Sequence, residues 1–145
     1  MVSTQEYLQQ LYQSDYYQWL MKTADQLRYH QFNSLDWENL LAEIEDMGRS
    51  EKRSLRSNLR ILLMHLLKRN YQPEKATRSW DLTIVEHRKR IEDTLQDSPS
   101  LKPYLNEIFE KCYQDAVDLA AAETGLSPET FPNECPFTLE AILKF

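Results

Sequence analysis

Wound at 100° per residue, Trp37, Ile44, Gly48, Leu55, Leu62 and Leu66 all fall within about 20° of one direction. A loop would reset that phase, so the pattern predicts one continuous helix from Asp36 to near Tyr71. Asp36 is a good N-cap, and Glu38 in the first turn suits the positive end of the helix dipole. Gly48 is the one position that argues for a break. Inside a helix it costs about 1 kcal/mol relative to Ala and permits a kink or a close approach. Such a rod is about 52 Å long at 1.5 Å per residue. A compact domain of this chain length is only about 38 Å across. The expectation is that the rod outruns its own core and needs a partner along its apolar side.

The rest of the sequence agrees with an all-α fold. Two Gly in 145 residues are too few for the tight turns of a β-sandwich and exclude a Gly-rich phosphate loop. The 41% hydrophobic share excludes a disordered tail and, with the length, points to a single domain over 1–145. Ser3 or Thr4 can cap a first helix carrying Leu8, Leu11, Tyr12, Tyr16, Trp19, Leu20, Ala24 and Leu27, with a fresh cap available at Ser14-Asp15. After Tyr71-Gln72-Pro73, a helix from Ser79 carries Trp80, Ile84, His87, Ile91 and Leu95. After Asp97-Ser98-Pro99, Ser100 is the expected cap of another helix, with Pro103 in its first turn and Gly125 as its stop. Short turns begin at Ser127-Pro128 and Thr138. The architecture is therefore a bundle of four main helices, one of them long, with short C-terminal helical turns.

The longest apolar run, Ile61 to Met64, is far shorter than the roughly 20 residues of a membrane span, so no membrane partner is expected. The first residues show no basic segment followed by an apolar stretch, and Cys112 and Cys135 form no Cys-x-x-Cys pair. Both features point to the cytoplasm and to unbridged thiols.

Charge is unevenly placed. Residues 1–48 hold 2 basic and 8 acidic side chains, residues 49–90 hold 12 and 4, and residues 91–145 hold 3 and 11. A strongly basic middle thus sits in a chain of net charge -6 and pI near 5.1. Either acidic neighbours within the bundle neutralise it, or it is offered to an anionic partner. Arg49, Arg53, Arg56 and Arg60 form one cationic ridge on the long helix, roughly opposite its apolar arc and suited to carboxylate or phosphate groups. The acidic whole, and the absence of base-stacking aromatics on that side, argue against a nucleic-acid partner.

Candidate chemistry is sparse. His65 at the edge of the apolar face, His87 within its stripe, Glu51, Asp15 and Trp80 could form a polar pocket in the bundle. No His-x-x-x-His or Glu-x-x-His spacing supports a metal there, and no Gly-x-Ser-x-Gly elbow supports a nucleophile. Hence no cofactor, metal or catalytic residue is assigned. Core histidines with one ring nitrogen bonded to a carboxylate or a carbonyl are the alternative reading, and Trp19, Trp37 and Trp80 with eight Tyr read first as core.

Several strings together resemble one bacterial family, "domain of unknown function twenty-nine". They are Glu43-Ile44-Glu45-Asp46-Met47-Gly48-Arg49-Ser50-Glu51-Lys52-Arg53, Leu62 to Lys68, Tyr71-Gln72-Pro73-Glu74, Arg78-Ser79-Trp80, Ser98-Pro99-Ser100-Leu101, and Phe131-Pro132 with Cys135-Pro136. The resemblance runs from about Leu11 to Leu143. It implies an all-helical bundle and supplies no activity, substrate or ligand.

The functional expectation is a small cytoplasmic protein that self-associates as a homodimer or binds a protein partner through the long basic helix. One rival is a bundle enzyme or metal-binder using Asp15, Glu51, His65 and His87, which requires those side chains to converge. The other is a binder of a phosphate-rich anion, which requires affinity that falls steeply with salt.

Overall fold

The computed structural model describes residues 1–143. It is 83% helical and, among those residues, has no strand. The helices are α1 (Thr4–Ser14), α2 (Tyr16–Arg28), α3 (Trp37–Tyr71), α4 (Arg78–Asp97), α5 (Lys102–Thr124) and α6 (Leu139–Leu143). The all-α bundle with one long helix is therefore present, and α3 runs through Gly48 without a reversal. Its 35 residues match the single phase of the stripe.

The chain divides into two compact units, one ending at Ser50 and the other starting at Glu51. In the first, Ser3 begins α1 with a capping box: its hydroxyl accepts from the Glu6 amide, and the Glu6 carboxylate returns the bond to the Ser3 amide. Asp15 ends α1 and caps α2 by accepting from the Gln18 amide at 3.0 Å, so the first apolar stripe is carried by two helices. Leu8, Leu11 and fully buried Trp19 form the core, with Tyr12 and Leu40 packed against it. Asp36 opens α3 as expected. Its buried carboxylate accepts from the Trp19 indole at 3.2 Å and from the Asn39 side chain at 2.6 Å. The Glu43 carboxylate accepts from the hydroxyls of Tyr12 and Tyr16, at 2.5 Å each.

The second unit is built on the C-terminal turns of α3. Leu55, Leu59, Leu62, Leu63 and Leu67 are fully buried against Ile84, Ile91, Leu105, Tyr113, Ala116 and Ala120. Two helix starts differ from the sequence reading. α4 begins at Arg78, one residue before the expected Ser79, and Thr77 caps it by accepting from the Trp80 amide. Ser100 caps nothing: Pro99 starts a 3-10 turn through Leu101 that runs directly into α5, so the chain is already helical where a side-chain cap was expected. Pro103 falls in the first turn of α5, and Gly125 ends it at φ 76°, a left-handed conformation that favours glycine. The segment after α5 packs back, with Phe131 buried and the Tyr113 hydroxyl donating to the Pro132 carbonyl at 2.6 Å.

Candidate functional site

Two features of α3 stand out, a polar cluster near its C-terminal end and an uncovered apolar stripe near its N-terminal end.

The cluster belongs to the second unit. On α3, His65 and Lys68 are three residues apart and share a face; on α4, Trp80 and His87 are seven apart and do the same. Lys68 is almost wholly buried, yet charged. Its ammonium donates to Glu123 on α5 at 2.7 Å and lies 4.4 Å from the centre of the Trp80 ring. This is a cation held by one carboxylate and one aromatic face. The ion pair of Arg69 with Asp81 adds a second tie between α3 and α4.

Each histidine turns Nδ1 to a carbonyl one turn earlier on its own helix, His65 to Ile61 at 3.0 Å and His87 to Thr83 at 2.8 Å. A carbonyl only accepts, so Nδ1 carries the proton in both and Nε2 is the basic nitrogen. Burial pushes the His65 pKa below its ordinary value and the Lys68 ammonium pushes the same way, outweighing the Ile61 carbonyl and the Glu123 carboxylate, which pull it up. The unfolded chain therefore takes up a proton at this position before the folded one does. Stability contributed here is present above about pH 6.5 and declines as pH falls through that value toward the lower folded pKa. His65→Gln should remove that part of the acid dependence, and melting temperature against pH for the two proteins checks it.

Of the five pocket residues read from sequence, Trp80 lies against Lys68, and His65 lies within electrostatic reach of Lys68, Glu123 and His87. Glu51 is exposed on α3, and Asp15 belongs to the first unit, where its carboxylate serves as a helix cap. Among the described residues, no group of three His, Cys, Asp or Glu side chains is placed to hold a metal ion. Lys68 and Glu123 were not singled out in the sequence. The only local signal was the three-residue spacing from His65, because the carboxylate comes from 55 residues away.

The arginine ridge is partly engaged within the fold. Arg49 pairs with Asp46 one turn earlier. Arg56 donates to the Tyr104 hydroxyl at 3.0 Å, and Arg60 lies 3.7 Å from Asp115, both partners on α5. Arg53 is exposed, with no bonded partner among the described residues. Cys112 is buried, and burial raises its thiol pKa to about 11, which keeps it protonated and unreactive.

The apolar stripe lies in the first unit. Leu40 turns inward, but Trp37, Leu41, Ile44 and Met47 are 53%, 58%, 57% and 62% exposed. Four large apolar side chains thus stand in solvent on successive turns of one helix. Gly48 continues the stripe, and a Cβ placed there would meet nothing within 4 Å.

The family described as "Domain of unknown function DUF29" matches residues 11–145. The chain belongs to the DUF29 family. No curated protein and no solved structure gives a significant match. The family match takes in both the exposed stripe and the cluster around Lys68, and its description carries no activity for either. Among the described residues of this DUF29 chain, no helix is long and apolar enough to cross a membrane.

Proposed function

We propose that this DUF29 chain is a protein-interaction module that docks through the N-terminal turns of α3. The observation that carries the reading is the stripe of Trp37, Leu41, Ile44 and Met47, each more than half exposed. Scattered apolar side chains on a surface need no explanation, but a contiguous row on one helix face marks a place for another surface. The charged groups beside it, Glu38 and Glu45 followed by Arg49, form a polar rim that sets partner choice. We place the module in a bacterial cytoplasm. In support, both thiols are unpaired, as a reducing compartment keeps them.

Ile44→Asp puts a charge at the centre of the stripe without touching the cores of either unit. Immobilised wild-type chain should retain a bound protein, its own kind included, from a lysate of the source cells. The Ile44→Asp chain should retain none, while circular dichroism shows unchanged helix content. Identical retention by the two proteins would overturn the reading.

A further inference from the structure

We propose that the N-terminal unit carries a second site, a cleft between α1 and α2 that takes a free α-amino acid with an apolar side chain. It is separate from the stripe on α3 and does not depend on what docks there.

The cleft has a volume of about 250 Å³. Sites for drug-sized ligands span roughly 300–1,000 Å³, so this one suits a smaller molecule. Tyr7 and Leu8 of α1 line it together with Lys22, Asp25 and Gln26 of α2. Leu8 and Gln26 are buried, at 1% and 6% exposure, whereas Tyr7, Lys22 and Asp25 are exposed. The enclosed part is thus one apolar and one amide side chain, and the rim is one cation, one anion and one aromatic ring.

Gln26 supplies the decisive observation. Its Nε2 donates to the carbonyl and to the hydroxyl of Ser34, at 3.1 Å each. A carbonyl only accepts, so the amide cannot be turned over, and its other end is fixed as an acceptor. That acceptor, Oε1, is buried and has no hydrogen-bond partner. Buried polar atoms are nearly always bonded, because an orphan gives up its hydration and receives nothing in return. What the cleft lacks is therefore a donor.

The rim narrows the kind of donor. Lys22, Asp25 and Gln26 stand at positions i, i+3 and i+4 and share one face of α2. Asp25 pairs with Arg28 through Oδ1, and its Oδ2 can accept from a second group. The Lys22 ammonium lies 5.9 Å from the centre of the Tyr7 ring and has no ion-pair partner among the described residues. An ammonium in the cleft would meet both the Asp25 carboxylate and the Gln26 carbonyl. A carboxylate on the neighbouring carbon would meet Lys22, and an aliphatic side chain would lie against Leu8 and Tyr7. A free α-amino acid is the small molecule that carries all three groups on one carbon.

Isothermal titration of the full chain with L-leucine should show saturable one-to-one binding. N-acetyl-L-leucine lacks the ammonium and L-leucinamide lacks the carboxylate, and each should bind about tenfold more weakly or worse. Lys22→Met should weaken L-leucine by about tenfold but L-leucinamide by less than about twofold, since the amide has no charge for Lys22 to meet. Lys22 is exposed, so circular dichroism should show unchanged helix content. Should helix content fall, Asp25→Asn gives the mirrored test, weakening L-leucine and sparing N-acetyl-L-leucine. Absence of saturable binding by L-leucine and by the smaller L-alanine at millimolar concentration would overturn the site. So would capped forms that bind as tightly as the free amino acid.

Discussion

Trp19→Ala should cost the N-terminal unit about 3–5 kcal/mol, enough to unfold it, since whole domains are stable by only about 5–15 kcal/mol. The indole is the largest fully buried side chain of that unit and lies 4.9 Å, centre to centre, from the Tyr12 ring. Leu8, Leu11 and parts of Tyr12 and Leu40 share its small core, so little can collapse into the cavity. A polar loss adds to the apolar one. Asp36 is 1% exposed, and the indole N–H is one of the donors that make its burial tolerable. Trp19→Phe separates the two effects: it keeps most of the apolar contact and removes the donor, at an expected cost of about 1–3 kcal/mol. Amide hydrogen exchange reads the result by position. Protection should disappear from α1, α2 and the first turns of α3, and persist in α4 and α5 around a core that contains none of these residues. Loss of protection across α4 and α5 in Trp19→Ala would mean that the two units unfold together.

Much of this architecture can be read from local patterns. Helical phase carries from Trp37 to Leu66 because a helix repeats its facing every 3.6 residues. Asp15, Asp36, Pro103 and Gly125 take the expected positions because caps and stops depend on the backbone of one or two residues. The misplaced starts at Ser79 and Ser100 have a similar local origin: Thr77 and the Pro99 turn compete for the same helix ends, and single-residue preferences differ there by only a few tenths to about 1 kcal/mol. Periodicity stops short of saying who covers an apolar face. Leu55 and Trp37 share one direction on α3, yet Leu55 is fully buried and Trp37 is half exposed. The difference lies in what α4 and α5 supply around Leu55, and no local pattern records it. Likewise, the ridge from Arg49 to Arg60 is legible as spacing, whereas its engagement by Tyr104 and Asp115 depends on how α5 lies against α3.

Lys68 and Glu123 extend that point into an expected asymmetry between two substitutions. Lys68 gives up nearly all its hydration, and only one carboxylate and one aromatic face replace it. Removing the carboxylate by Glu123→Ala leaves an ammonium with a 4% exposed side chain and no counter-charge bonded to it. The expected cost is about 1.5–3 kcal/mol, below that of a fully enclosed pair because the Glu123 side chain is itself 53% exposed and water can partly replace it. Removing the cation instead, by Lys68→Met, keeps an unbranched apolar stem against Trp80 and returns Glu123 to solvent. That change should stay within about 1 kcal/mol of wild type in either direction, because the desolvation cost of the charge disappears along with its attractions. Denaturant unfolding of the two single variants and the double measures the difference. If Lys68→Met offsets most of the loss caused by Glu123→Ala, the damage in the single variant is the stranded charge. Equal losses for Lys68→Met and Glu123→Ala would mean instead that the pair contributes net stability where α3, α4 and α5 meet, and that an unpaired cation is not what Glu123 prevents.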